Sequence, residues 1–255
     1  MAGAEPTLSL DGGGIATLTL HRPAVANRLE LEDLAAIQGF LDRVNADLSV
    51  RVLRLRGEGR HFCSGFNVER VGADGAAAGP RFEALADALE QARPVTVVQL
   101  QGGAYGGAVD LTLACDFRVG GPATELRIPA AQLGLHFYRG GLERGVARIG
   151  LPWARRLFLT ADTLDAATLH GAGLLDRMAD HADAVEAETE RFCAHLAALA
   201  PLALLGMKRH LNAIARGTLD PAALARDIAA ADASADLQEG ARAWREKRAP
   251  RFQGR

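Results

Sequence analysis

Hydrophobic and polar residues alternate near the start of the chain and then recur at helical spacing. The segment TLSLDGGGIATLTL, residues 7–20, alternates on both sides of three glycines, which predicts two strands joined as a hairpin. Residues 29–47 place apolar side chains at helical spacing and predict a helix, whereas residues 50–58, VRVLRLRGE, predict a strand. A second helix, residues 80–92, and a second inner strand, residues 94–102, follow in the same order.

The order of these elements predicts an α/β fold. The alternation of strands with helices is typical of a sheet with parallel strand pairs, because the chain crosses over through a helix before the next parallel strand. From Gly140 onward the pattern is helical, including the alanine-rich segments 183–199 and 221–247, and no strand of any length is evident. We predict an α/β core over residues 1–195 and a helical oligomerisation region over residues 196–255, which packs on the core or on a neighbouring subunit.

Composition and charge narrow the class of protein. The 255 residues, 49% of them hydrophobic, suffice for one large domain or two small ones. A net charge of -2 is unlike the basic footprint of a nucleic-acid binder, so we expect small molecules or copies of the chain as partners. The first residues do not resemble a signal peptide, and the apolar stretch 196–207 is too short to cross a bilayer and contains Pro201. We therefore expect a cytoplasmic protein that does not bind a membrane.

The three cysteines, Cys63, Cys115 and Cys193, are odd in number and widely spaced among apolar neighbours. This pattern predicts reduced, buried thiols, with neither a disulfide nor a zinc site. None has a histidine at a recognisable spacing, so we predict no catalytic role for them.

Two glycine-containing turns each follow a predicted strand, at residues 59–71 and 101–107. A strand that runs through such a turn into a helix leaves free backbone N–H groups at the helix N-terminus, where the dipole favours negative charge. The second turn fits neither GxGxxG nor GxxxxGK[ST], and no GxSxG elbow is present. Two such turns can direct two N–H groups at one carbonyl oxygen, the geometry that stabilises an enolate.

Seven sequence blocks, in this order, resemble the enoyl-CoA hydratase/isomerase (crotonase) superfamily. The resemblance implies a crotonase-like spiral of ββα units, a C-terminal helical trimerisation region, and a homotrimer or homohexamer. It also implies an acyl-CoA thioester substrate, with coenzyme A carried as part of the substrate and no other cofactor or metal. The blocks are residues 21–34, 50–68, 93–119, 126–135, 140–178, 200–212 and 238–252.

The resemblance assigns roles to individual residues. The thioester oxygen is expected between the backbone N–H groups of Phe66 and Gly107. Ser64, Phe66 and Val68 match backbone positions that hold the adenine end of coenzyme A. Hydratases of the family use two glutamates, and this chain has Asp110 in the first place. An aspartate can still serve as acid or base when its surroundings tune it.

The second glutamate position holds Ala130, which cannot move a proton. The following loop offers His136 and Tyr138 as replacements for this proton carrier, and the alternative is that both line the substrate pocket. The family's CoA dehalogenases place a nucleophilic aspartate in this loop, where this chain has Tyr138. Glu143 and Arg144 are predicted to form a solvated or intersubunit pair.

Coenzyme A phosphates need a cation, and the family's usual lysine is replaced by Glu69. Arg70, or Lys247 and Arg248 from a neighbouring subunit, are the candidates. His61 is predicted to be a packed or exposed loop residue and Asp116 to be structural, while Arg127 has no assigned role beyond contact with a polar acyl group.

Three functions follow from this pattern. The first is an enoyl-CoA hydratase-like reaction with Asp110 as acid or base. The second is another reaction of the thioester enolate, such as decarboxylation or C–C cleavage, for which one acid or base suffices. The third is a catalytically inactive protein that binds CoA esters or a protein partner.

Overall fold

A computed structural model of the chain describes residues 4–67 and 75–255. The predicted hairpin is confirmed: two antiparallel strands flank a turn in which the Asp11 carboxylate accepts hydrogen bonds from the N–H groups of Gly13, at 2.7 Å, and Ile15, at 3.0 Å. The strands of the described residues are β1 (Ala4–Leu10), β2 (Ile15–His21), β3 (Val52–Gly57), β4 (Val95–Leu100), β5 (Gly103–Tyr105), β6 (Phe117–Gly120), β7 (Glu125–Arg127), β8 (Leu164–Asp165) and β9 (Arg177–Met178).

The strands form two sheets. Six of them pair in the order β1-β2-β3-β4-β6-β9, and every pair except the first is parallel, as predicted. A smaller sheet has the order β5-β7-β8, with β5 parallel and β8 antiparallel to β7. The small sheet was not predicted, because its strands are only two or three residues long and show no alternation.

Helices follow the strands and dominate the second half of the chain. Local capping sets several of their starts: the Ser234 hydroxyl accepts a hydrogen bond from Leu237 N–H, and the Asp220 carboxylate accepts one from Ala222 N–H. The helices of the described residues are α1 (Leu31–Ala46), α2 (Gly75–Glu90), α3 (Gly107–Ala114), α4 (Arg139–Arg155), α5 (Ala166–Gly171), α6 (Val185–Ala197), α7 (Pro201–Ala215), α8 (Pro221–Asp232) and α9 (Ala235–Glu246).

The large sheet is covered on both faces. The main apolar core joins side chains of β2 and β3 to those of α1, α2 and α3. A second core places Phe192 and Leu196 of α6 against Val97 and Val119 on the other face. On the first face α3, with the predicted site at its N-terminus, packs against α2 and α4.

The helical C-terminal region contacts the sheet through polar groups. The buried Lys208 ammonium donates to the Pro94 carbonyl at 2.6 Å, and the Arg51 guanidinium donates to the Phe252 carbonyl at 2.9 Å. Among the described residues no single helix has the length and apolar composition of a membrane span; only the pair 182–197 and 201–215, bent by 106°, meets both requirements jointly. The proposed boundary at residue 195 stays a prediction.

Candidate active site

Residues 62 and 63 run beside strand β5 as a short parallel pair. Phe62 N–H donates to the Gly103 carbonyl at 3.0 Å, and Tyr105 N–H donates to the Cys63 carbonyl at 3.0 Å. Cys63 therefore lies opposite Ala104. The pairing ends at Tyr105, and beyond it Phe66 lies opposite Leu29 in a second isolated bridge.

The two predicted oxyanion donors, Phe66 and Gly107, lie on backbone segments that approach each other closely. An ideal Cβ on Gly65 would come within 3.3 Å of the Gly107 nitrogen, so the backbone before Phe66 touches the start of α3. Within residues 4–67 and 75–255, neither the Phe66 N–H nor the Gly107 N–H donates to a protein acceptor. A pair of unpaired N–H groups at a helix N-terminus is suited to an anionic oxygen.

The conformation and packing at the start of α3 favour glycine at both Gly106 and Gly107. Gly106 has φ 58° and ψ -126°, a backbone conformation that residues other than glycine rarely adopt. At Gly107 an added Cβ would lie 2.8 Å from the Phe82 ring. The glycines that the sequence places before Asp110 thus allow a sharp entry into α3 and close packing of Phe82 on its first turn.

Asp110 lies one turn after Gly107 on α3 and is fully buried. Its two carboxylate oxygens face the Arg144 guanidinium, with Nε 2.8 Å from Oδ1 and Nη2 3.0 Å from Oδ2. This is the bidentate geometry of a strong charge-assisted pair. Both oxygens of the predicted acid or base are therefore occupied by one arginine.

The Tyr138 hydroxyl donates to Asp110 Oδ2 at 2.8 Å. Burial raises the pKa of the Tyr138 phenol, and the negative charge of Asp110 raises it further. The phenol therefore holds its proton. The Phe82 ring, which packs on Gly107, lies 6.3 Å from the Tyr138 ring between centroids, so one aromatic side chain separates the two parts of the site.

The prediction of a solvated or intersubunit Glu143–Arg144 pair is wrong for the arginine. Glu143 is exposed and pairs with Arg139 at 2.6 Å, whereas the Arg144 side chain has no exposed surface. A Cβ on Gly140 would lie 3.0 Å from Glu83 Oε1 and 3.1 Å from Asp87 Oδ1, so α4 packs closely on α2 near the guanidinium. Its carboxylate partners lie 34 to 57 residues away in sequence, so no local pattern marked this burial.

Comparison with known proteins identifies the family to which the chain belongs. A sequence model described as "Enoyl-CoA hydratase/isomerase" matches residues 11–255. The chain belongs to the enoyl-CoA hydratase/isomerase family. It is 31% identical over 243 residues to a probable enoyl-CoA hydratase of Mycobacterium bovis, covering 94% of this chain and 96% of that protein.

Solved structures confirm the crotonase-like fold. The enoyl-CoA hydratase of Bacillus anthracis superposes with a TM-score of 0.88 at 25% identity, over 99% of this chain and all of that one. The chain spans only 26% of the length of the Arabidopsis thaliana peroxisomal fatty acid beta-oxidation multifunctional protein MFP2, to which it is 29% identical over 188 residues. The family resemblance read from the sequence is confirmed.

Two further positions considered for proton transfer are Ala130, in the place of the second glutamate, and His136, a candidate replacement for it. Ala130 begins a 3-10 turn, Ala130–Leu133, and its methyl group packs against the core. His136 is exposed, and its Nδ1 lies 2.7 Å from the Phe137 carbonyl, which can only accept, so this nitrogen carries the proton. The hydrogen bonds of the described residues do not join His136 to Asp110 or Tyr138.

Only some of the residues predicted to contact coenzyme A lie within the described part of the chain. Ser64 is half-buried, its N–H donating to the Ala26 carbonyl at 2.8 Å and its hydroxyl to the Val25 carbonyl at 3.3 Å. Lys247 is exposed at the end of α9 with φ 52°, and the next residue, Arg248, pairs with Glu239 at 2.6 Å. Val68, Glu69 and Arg70 lie outside the described residues, so their predicted roles stay predictions.

Three other residues are accounted for by local contacts. Asp116 accepts from Thr96 N–H at 2.7 Å and pairs with the buried Lys208 at 2.6 Å, which confirms its structural role. The Arg127 guanidinium donates to the Ala161 carbonyl at 3.0 Å. His61 is half-buried beside the Tyr105 ring, 5.7 Å between centroids, as a packed loop residue.

All three cysteines are buried and free, as predicted. Burial raises the pKa of Cys63 and Cys115 to about 12 and that of Cys193 to about 11. Because the thiolate is the reactive form, the thiols stay protonated and inert well above neutral pH. We expect a thiol-disulfide reagent at pH 8 to find no reactive thiol in the native protein and three after denaturation. A fast-reacting native thiol would contradict the burial described.

Proposed function

We propose that the chain binds an acyl-CoA thioester and stabilises its enolate, with coenzyme A as part of the substrate and no other cofactor. The observation that supports the proposal is the close approach of the Gly65 backbone to the Gly107 nitrogen, next to the N–H groups of Phe66 and Gly107, which donate to no protein acceptor among the described residues. Two such donors neutralise the charge that develops on the thioester oxygen. In other enzymes the loss of one donor costs about 3 to 4 kcal/mol of transition-state stabilisation.

Tyr138 is the group that exchanges a proton with the substrate, and Asp110 acts through it. Because the phenol donates to the carboxylate, a proton taken up by the phenol oxygen displaces the phenol's own proton onto Asp110. The reverse movement returns it. The bidentate contact with Arg144 holds the carboxylate in place, with Oδ2 facing the phenol.

Hydration of an enoyl-CoA is compatible with a single relay. The water oxygen forms a bond to the β-carbon, the C=C electron pair shifts to give the enolate, and one water proton passes to the relay. The same proton is then delivered to the α-carbon, so that hydroxyl and hydrogen are both added. With Ala130 in place of the second glutamate, we expect hydration about 10²- to 10⁴-fold slower than with two acid-base groups.

Crotonyl-CoA tests this proposal through the loss of its enoyl-thioester absorbance. We expect the wild-type protein to hydrate it and Tyr138→Phe to reduce kcat by about 10²- to 10⁴-fold, since the proton carrier is removed. Tyr105→Phe is the matched control: the same atom is lost from the chain's other tyrosine, whose hydroxyl donates to Glu125 at 2.5 Å. Equal loss in both variants would contradict the role of Tyr138.

A second candidate is favoured by Ala130 together with the fully paired Asp110. If the substrate carries a carboxylate on its α-carbon, breaking that C–C bond leaves its electron pair in the enolate and releases CO2. Only one proton must then be added, at the α-carbon. CO2 release from malonyl-CoA, with crotonyl-CoA bound but unchanged, would establish decarboxylation and exclude hydration.

We also propose that the protein assembles as a homotrimer or homohexamer in the cytoplasm. What supports the assembly is a set of apolar side chains left exposed on α7, α8 and α9 of the single chain. They are Leu202, Met207, Leu211, Ile214, Ile228, Leu237 and Trp244, the last of which is 86% exposed.

A further inference from the structure

We infer that Arg144 is a positioning residue for the proton relay, acting through the planar fork of its guanidinium rather than through its charge alone. The inference rests on the proposed function, because it concerns the Asp110–Tyr138 pair of the same site. It adds a residue that the sequence assigned to a solvated or intersubunit pair and that makes no hydrogen bond to Phe66 or Gly107 among the described residues.

The fork makes more contacts than charge neutralisation requires. Its Nε and Nη2 bind one oxygen each of Asp110, while Nη1 lies 2.8 Å from Glu90 Oε2 and 3.1 Å from Asp87 Oδ1. The side chain has no exposed surface. A planar group held at three carboxylates has one orientation, and it transmits that orientation to Asp110.

The orientation of Asp110 decides where the Tyr138 hydroxyl points. Oδ2 accepts from both Tyr138 and Arg144 Nη2, so turning the carboxylate out of the plane of the guanidinium breaks or bends the Tyr138 hydrogen bond. Displacement of a reacting group by about 1 Å can cost roughly 100-fold in rate. Arg144 therefore positions Tyr138 from two contacts away.

Arg216 provides a matched control for this inference. Its Nε donates to Glu90 Oε2 at 2.9 Å and its Nη2 lies 3.1 Å from Asp87 Oδ1, so it binds the same two carboxylates from the end of α7. It does not contact Asp110 within the described residues. An arginine-to-lysine change at either position keeps the positive charge and removes the fork.

The test compares Arg144→Lys with Arg216→Lys in two measurements. With the substrate that the wild type turns over, we expect Arg144→Lys to lower kcat about 10- to 100-fold, with KM changed by less than about threefold, and Arg216→Lys to leave both near wild type. The inference is overturned if the two variants lose kcat equally, if neither does, or if Arg144→Lys changes KM alone.

The second measurement does not depend on turnover. In a Tyr105→Phe background Tyr138 is the sole tyrosine, so incorporated 3-fluorotyrosine gives one ¹⁹F resonance. We expect Arg144→Lys to shift or split this resonance and Arg216→Lys to leave it in place. An unshifted resonance in Arg144→Lys overturns the inference even if no substrate is turned over. If the resonance shifts but the wild type turns over no substrate, the result counts only against the proposed function.

Discussion

Replacing Gly65 by alanine is expected to lower turnover of a CoA thioester by about 10²- to 10³-fold, the cost of losing one oxyanion donor. The new methyl group would lie 2.6 Å from the Tyr105 carbonyl oxygen and 3.3 Å from the Gly107 nitrogen. Both are backbone atoms, so the segment carrying Phe66 must move away from α3. The effect is measured as kcat/KM beside the wild type.

A variant of a second glycine, Gly217, distinguishes the effect of backbone strain at Gly65 from damage to the site. Gly65 has φ +87°, and alanine there carries a strain of about 1 to 2 kcal/mol even where space is available. Gly217 has φ +66° with open space around it, at the exposed end of α7. Gly217→Ala should therefore carry a similar backbone strain without the steric overlap and retain full turnover. Unchanged turnover in Gly65→Ala would refute the paired-donor geometry.

Replacing Asp110 by asparagine is expected to lower the free energy of unfolding by about 3 to 5 kcal/mol, because it breaks a buried ion pair and leaves Arg144 with one carboxylate fewer. The size of this effect follows from burial: neither side chain of the pair exceeds 1% exposure. Denaturant unfolding at a fixed protein concentration measures it, since assembly makes stability concentration-dependent.

An exposed ion pair supplies the control for this prediction. Asp162 lies 3.9 Å from Arg156, and both side chains are about half exposed. Asp162→Asn should change the unfolding free energy by less than about 1 kcal/mol, since water replaces the lost contact. A change of the same size in Asp110→Asn would mean that the Asp110–Arg144 pair contributes little to stability.

Much of the large sheet could be predicted from local patterns. The alternation in residues 50–58 and the apolar residues of 94–102 correspond to β3 and β4, and the glycine-interrupted hairpin corresponds to β1 and β2. These elements are long enough for their side-chain period to appear in the sequence. The strands β8 and β9, two residues each, exist only through pairing with partners far along the chain.

The residues of the candidate site also differ in how far the sequence could predict them. The free N–H groups of Phe66 and Gly107 were predicted because glycine turns and the family resemblance mark them locally. The enclosure of Arg144 depends on Asp110 and Glu90, which lie 34 and 54 residues away in sequence. A charged residue is ordinarily exposed. Only the tertiary arrangement of α2, α3 and α4 makes burial of this arginine favourable.

The most direct test of the proposed oxyanion site is the infrared stretch of the thioester carbonyl, isotope-edited with ¹³C, in an acyl-CoA bound to the wild-type protein. Two N–H donors aimed at the oxygen weaken the C=O bond, so we predict a lower stretching frequency in the bound than in the free thioester, and a smaller decrease in Gly65→Ala. A bound thioester with the frequency of the free one would contradict the proposal that Phe66 and Gly107 hold its oxygen.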